Sequence, residues 1–331
     1  MSGLLFVILT AHRKRQHIKF EKLLRETFLE SPEHDELPES LEFGTPQHFG
    51  INFAIGFALI FEGALSACYH VCPTNENFQF DTTFMYTIAV LSFMKIYQFR
   101  HPDIASNAYK VFLALAFVMF LEVLGIFYES VLFWALCLTA YFLLCVTLSA
   151  ILYNFGEWSL NLTLLPNMVN AAIRTAKRRK CLNLSKKRLI LILVLNALNL
   201  TFIVYGAVVS PGVSTYLLAI FVSNLLVYAL YYIIMKLINK EKLTLLANLF
   251  AILSIICWIP GLYFFVNSRT DSGVTPAQSR NLNRDCMAFE MYDNHDIWHI
   301  CSAAGLFFNF MMLIYLDEDL FYVPRAKIKI F

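Results

Sequence analysis

Apolar residues cluster into eight long runs, at roughly 50–70, 82–99, 109–127, 131–153, 188–209, 214–237, 244–266 and 297–316, divided by short polar connections. A run of about 20 mostly apolar residues is what a helix needs to cross the hydrocarbon layer. Inside lipid the backbone has no water to bind, so each run must close its own hydrogen bonds as a helix or join a closed barrel. These runs are too long for barrel strands and lack their two-residue alternation. The pattern predicts an all-α, polytopic transmembrane helical bundle of about eight full spans over residues 50–316. Ahead of it, Gly3 to Ala11 is apolar but too short to cross and leads directly into the basic stretch His12 to Arg15. Residues 1–11 are expected to form a partial membrane helix, the last half of one whose beginning is absent. No cleavage-site pattern follows it, which argues against a signal peptide. Residues 12–49 read as a charged loop carrying an amphipathic helix around Phe20 to Phe28, and 317–331 as a tail.

Composition agrees. Hydrophobic residues make up 58% and charged residues 15% of the 331 positions, against about 25% charged in soluble domains. Formal net charge is only +2, so total charge points to no nucleic-acid or acidic partner. The placement of charge says more. Connections around 12–25, 95–110, 174–188 and 236–242 hold basic clusters, including Lys177 to Lys180 and Lys186 to Arg188, whereas 71–81, 128–130, 210–213 and 267–296 carry no dense cluster. By the positive-inside rule the basic connections, and the tail with Arg325, Lys327 and Lys329, are expected to be cytosolic. Cys137, Cys145, Cys257 and Cys301 lie in apolar runs and read as small packing residues. Cys72 and Cys286 fall in connections expected outside the cytosol, where a disulfide between them would persist. The sequons at Asn161, Asn183 and Asn199 fall in cytosolic or embedded positions and are expected to be unused.

Polar groups inside membrane segments are costly and point to function. The first full span ends FEGALSACYHVC, placing Glu62, Ser66 and His70 on one helical stripe. The next opens FQFDTTFMY, with Asp81 at its start, and the last opens YDNHDIWHICSA, with His295 and His299 four residues apart. Two imidazoles at that spacing leave one helix face and can reach one metal. The expected topology brings His70, His295 and His299 to one membrane boundary. Three neutral imidazoles with a fourth position left to water is a catalytic zinc arrangement. Asp81 would then take a proton from that water, Ser66 would orient it, and Asp293 or Asp296 would support a histidine from behind. On spacing alone a plainer reading stands beside this one, in which each histidine merely caps a span at the interface. Leu91, Tyr97 and Arg100 fit a weak, common sterol-contact pattern.

The strings FEGALSACYHVCPTNENFQFDTTFMY, KIYQFRHPDI, YLLAIFVSNLLVYALYYIIMKL, TPAQSRNLNRDC and DNHDIWHICSA, with the closing LDEDLFYVPRAKIKIF, resemble the transmembrane region of the systemic RNA interference defective family, also described as cholesterol uptake proteins. The likeness runs from about residue 50 to the C-terminus. That family is similar in its metal motifs to alkaline ceramidases and to progestin and adiponectin receptors. The resemblance implies that His70, His295 and His299 bind zinc while Asp81 and Ser66 hold a water. It implies a membrane protein for transport or uptake of double-stranded RNA that binds cholesterol, in the plasma or endolysosomal membrane, as a possible homodimer. The alternative it implies is a zinc-dependent hydrolase of a membrane lipid amide or ester. Family members also carry a long β-rich extracytosolic domain before the first helix and are usually described with eleven spans. This sequence lacks that domain and shows eight spans and a stump, which bears on RNA binding.

Overall fold

In the computed structural model of the chain, the described residues are 1–29, 43–45, 47–71, 75–100, 108–128, 130–154, 186–268, 274–282, 286 and 289–331. They form helices α1 (Ser2–Leu29), α2 (Phe49–Val71), α3 (Asn75–Gln98), α4 (Ala108–Phe127), α5 (Val131–Asn154), α6 (Lys186–Val209), α7 (Val213–Ile238), α8 (Leu245–Asn267), α9 (Pro276–Arg280) and α10 (Asn294–Tyr315). Among the described residues there is no named strand, only an isolated bridge between Phe43 and Pro324. The chain is an all-α polytopic membrane protein, and each of the eight apolar runs falls on a helix. Among the described residues, six of these helices, α2, α5, α6, α7, α8 and α10, are long and apolar enough to cross a membrane.

The other two apolar runs fall on α3 and α4. Helix α4 is 20 residues long and carries the described apolar stretch Phe112–Gly125. Helix α3 is too polar for lipid, and it is covered by protein instead: Thr82, Thr83, Thr87, Ser92, Lys95 and Gln98 are all buried along it. Thr82 and Thr87 return their hydroxyls to the carbonyls of Phe78 and Thr83, at 2.7 Å and 2.8 Å, which removes the donors that would otherwise be orphaned.

The N-terminal segment also departs from the expected partial helix and loop. Helix α1 runs unbroken for 28 residues through the basic stretch. No Gly or Pro interrupts it after Gly3, Lys and Arg are good helix formers, and the pairs His17–Glu21 (3.3 Å) and Lys22–Glu26 (3.7 Å) sit at i, i+4.

The chain divides into two compact units. The first comprises residues 1–100 and 236–330, the second residues 101–235 with Phe331. In the first, α1 packs on α2 where small residues permit backbone approach: a Cβ on Gly56 would lie 2.6 Å from Val7 Cγ2. Phe6 is wholly buried there and meets Phe310 of α10 at 5.4 Å between ring centroids. Helix α8 lies along α10, with Ser254 Oγ donating to the Gly305 carbonyl at 3.1 Å and Trp258 seated over Gly305, 3.0 Å from where a Cβ would be.

The second unit is built on Trp134, Leu138, Tyr216 and Ile220. Beside them a polar seam joins three helices. Tyr141 donates to Asn199 at 2.7 Å and Asn199 to Asn224 at 3.1 Å, while Asn196 donates to Ser149 at 2.8 Å. Asn199, one of the three sequons, is thus a buried helix-bonding residue. Asn161 and Asn183 lie outside the described residues, as does the basic cluster Lys177 to Lys180.

Candidate metal centre

The histidines come together. His70 leaves the last turn of α2, and His295 and His299 the first two turns of α10. Their Nε2 atoms form a near-equilateral triangle: 3.1 Å from His70 to His295, 3.1 Å from His70 to His299 and 2.9 Å from His295 to His299.

Hydrogen bonding alone does not account for such a triangle. Each Nε2 carries either a proton or a lone pair, so in a ring of three at least one pair must face like to like. One cation bound to three lone pairs removes that conflict. Zinc–imidazole bonds of about 2.0–2.1 Å in a tetrahedral frame place the nitrogens about 3.3–3.4 Å apart. The observed separations fall a few tenths of an ångström inside that, so the residues fit the ion. His70 is exposed and the other two are half-buried, which leaves one side of the trio approachable.

Local sequence explains why α10 presents its histidines here. Asp293 is the N-cap, buried, and its Oδ1 accepts from His295 N and Asp296 N, both at 2.9 Å, while Asp296 Oδ2 accepts from Asp293 N at 3.2 Å. This reciprocal box satisfies the helix's orphan N–H groups and fixes the turn from which His295 departs. Both acids therefore support the backbone of this turn. Asn294, also buried, donates to the Asn267 carbonyl at 3.3 Å, tying the start of α10 to the end of α8. Trp298 packs against Phe265 at 4.7 Å and Trp258 at 6.0 Å.

Ser66 lies one turn before His70 on α2 and is buried. Asp81 belongs to the second turn of α3, which packs along α2; its side chain lies outside the described residues. Glu62 is buried a further turn below Ser66. Of the two cysteines expected to pair, Cys286 is an exposed free thiol and Cys72 lies outside the described residues.

A family model described as the dsRNA-gated channel SID-1 matches residues 1–331. The chain belongs to the SID-1 family. It is 39% identical over 295 residues to SID1 transmembrane family member 1 of Homo sapiens, covering 88% of this chain and 36% of that protein. It is 40% identical over 295 residues to the Mus musculus protein of the same name, with the same coverage. It is 38% identical over 291 residues to cholesterol uptake protein 1 of Caenorhabditis elegans, covering 87% of this chain and 38% of that protein. The chain thus spans a little over a third of the length of these SID-1 family relatives.

At the other end of α10, roughly 30 Å away at 1.5 Å per residue, this SID-1 family chain buries a second polar cluster. Arg100 grips Glu241 with both terminal nitrogens, at 2.6 Å and 3.3 Å, and reaches Asp317 at 3.3 Å. Lys236 donates to Asp317 and Asp319, both at 2.8 Å. The side chains of Arg100 and Lys236 are wholly buried. The sequence marked these cations for orientation, and Arg100 also for a sterol-contact pattern, but named no partner for either. The available signal was LDEDL directly after an apolar run, since acids there need partners.

Proposed function

We propose that this chain is the membrane-embedded part of an uptake protein for double-stranded RNA and cholesterol that holds a zinc ion on His70, His295 and His299. The observation that carries the reading is the family match over the whole chain, with one relative named for cholesterol uptake beside it. In this reading the metal end of the bundle faces away from the cytosol and the C-terminal tail faces the cytosol, an orientation supported by the distribution of Lys and Arg along the sequence. The host membrane is the plasma or endolysosomal membrane, and the assembly a homodimer.

The nitrogen triangle favours a second reading, a zinc-dependent hydrolase of a membrane lipid amide or ester. A metal held there supplies Lewis acidity toward a carbonyl and toward water. The chain's own residues do the rest: the three imidazoles stay neutral and aimed at one point, Ser66 orients a water, and Asp81 takes its proton. The site lies at the end of two spans, where headgroup bonds sit.

One pair of variants tests both readings. Detergent-purified native chain is expected to carry about one zinc per chain by plasma mass spectrometry, lost in the His295→Ala, His299→Ala double variant. Cells expressing the native chain should internalise labelled double-stranded RNA and fluorescent sterol above vector-only cells, and equality with vector defeats the uptake reading. Turnover of a lipid panel that disappears in the double variant makes the site catalytic. Zinc without any such turnover removes the hydrolase and leaves the metal tying α2 to α10.

A further inference from the structure

Just before the cap of α10 the backbone does something costly. Phe289 and Glu290 both have positive φ, 55° and 57°, the left-handed region that residues with a Cβ avoid, bulky ones most of all. Neither position is glycine, and strain of this kind persists where the surroundings or the function demand it. The turn holds Phe289 and Met291 out of the protein, 87% and 68% exposed, with Tyr292 at 38%. Folding that exposes three apolar side chains in four residues gains nothing from them in water.

The depth of this turn is fixed by its neighbours. Asp293 and Asn294 follow it directly, and Asn294 is bonded to the last residue of α8, while His295 and His299 meet the end of α2. The last residue of α2, Val71, and the last but one of α8, Val266, are also exposed, at 81% and 79%. Strongly exposed apolar residues thus ring the metal end of this unit where three spanning segments meet the membrane boundary. We propose that the strained turn at Phe289–Glu290 is an interfacial anchor, which sinks Phe289 and Met291 into the lipid leaflet beside the histidine trio while Glu290 stays among the headgroups. Apolar side chains at the edge of a spanning segment gain from entering the headgroup/acyl boundary. The anchor would deliver lipid to the approachable side of the trio, but insertion itself does not depend on metal.

The test uses the full chain in phosphatidylcholine nanodiscs. Phe289→Trp and Met291→Trp are prepared separately, and each one's added fluorescence is taken relative to the parent chain. Discs are made with unbrominated lipid, or with lipid brominated near the headgroup or near the methyl end of the acyl chains. Insertion predicts blue-shifted added emission, quenched strongly by the shallow bromines and less by the deep ones, in both variants and unchanged by removal of metal with chelator. Red, unquenched emission overturns the anchor and leaves a water-exposed loop. Blue, unquenched emission also overturns it and assigns the patch to contact with protein. If one variant fails to fold, the other decides, because both side chains must enter the same layer. Loss of zinc in His295→Ala, His299→Ala with quenching retained separates failure of the metal reading from failure of this one.

Discussion

His48 shows how one buried imidazole ties stability to pH. It stands immediately before α2, and its Nε2 is buried with no hydrogen-bond partner among the described residues. Burial, with the nearby positive charge of Lys95 adding to it, holds its pKa below the ordinary 6.5. Because the folded value is the lower one, the unfolded chain takes up the proton first as pH falls. His48 therefore costs nothing above the ordinary value, and its destabilising effect grows as pH drops from there toward the folded pKa. His17 is lowered in the same sense, chiefly by burial, but Glu21 opposes the shift. His48→Gln is expected to flatten part of the acid limb: in detergent its melting temperature should fall less than the native chain's between about pH 7.5 and pH 5. Parallel curves would place the sensitivity elsewhere.

At the scale of elements, the unit containing α1, α2, α3, α8 and α10 is fastened at two ends by different chemistry. At one end the imidazole triangle joins α2 to α10. At the other, Arg100 and Lys236 join α3, the end of α7, Glu241 and the turn after α10 through Asp317 and Asp319. A buried ion pair barely offsets its desolvation, but removing one partner strands the other. Asp317 sits between two buried cations, so Asp317→Asn should cost about 3–5 kcal/mol. The Arg13–Glu318 pair at 2.8 Å is a contrast, because its side chains are 25% and 34% exposed. Glu318→Gln should cost no more than about 1 kcal/mol. Denaturation of both variants in detergent checks the difference, and equal losses would mean that the buried cluster is not what fastens this end.

For the whole molecule, the positive-inside rule predicts which end faces which side of the membrane. Basic residues gather at the Arg100 end, and the connection before α10 carries Cys286 as an exposed thiol. With the chain directed to the cell surface, an impermeant maleimide should label Cys286 in intact cells, the signal being the part lost in Cys286→Ser. A cysteine placed at Lys327 should label only after permeabilisation. The opposite pattern would invert the orientation and place the metal end in the cytosol.

Hydrophobic run length was enough to find every one of the eight helical runs, because lipid leaves an apolar backbone only one local solution. The i, i+4 spacings of Ser66 with His70 and of His295 with His299 were equally legible, since helical periodicity is a local property. Three-dimensional packing settled the rest. It covered the polar residues of α3 with protein, chiefly by packing the helix along α2. It carried α1 through the basic stretch, where charge had suggested a loop but helix propensity and contact with α2 prevailed. It closed the nitrogen triangle across 225 residues, and it set the buried acids after α10 against cations for which the sequence named no partner. Periodicity fixes which residues share a face, whereas contacts between distant segments depend on how the faces are assembled.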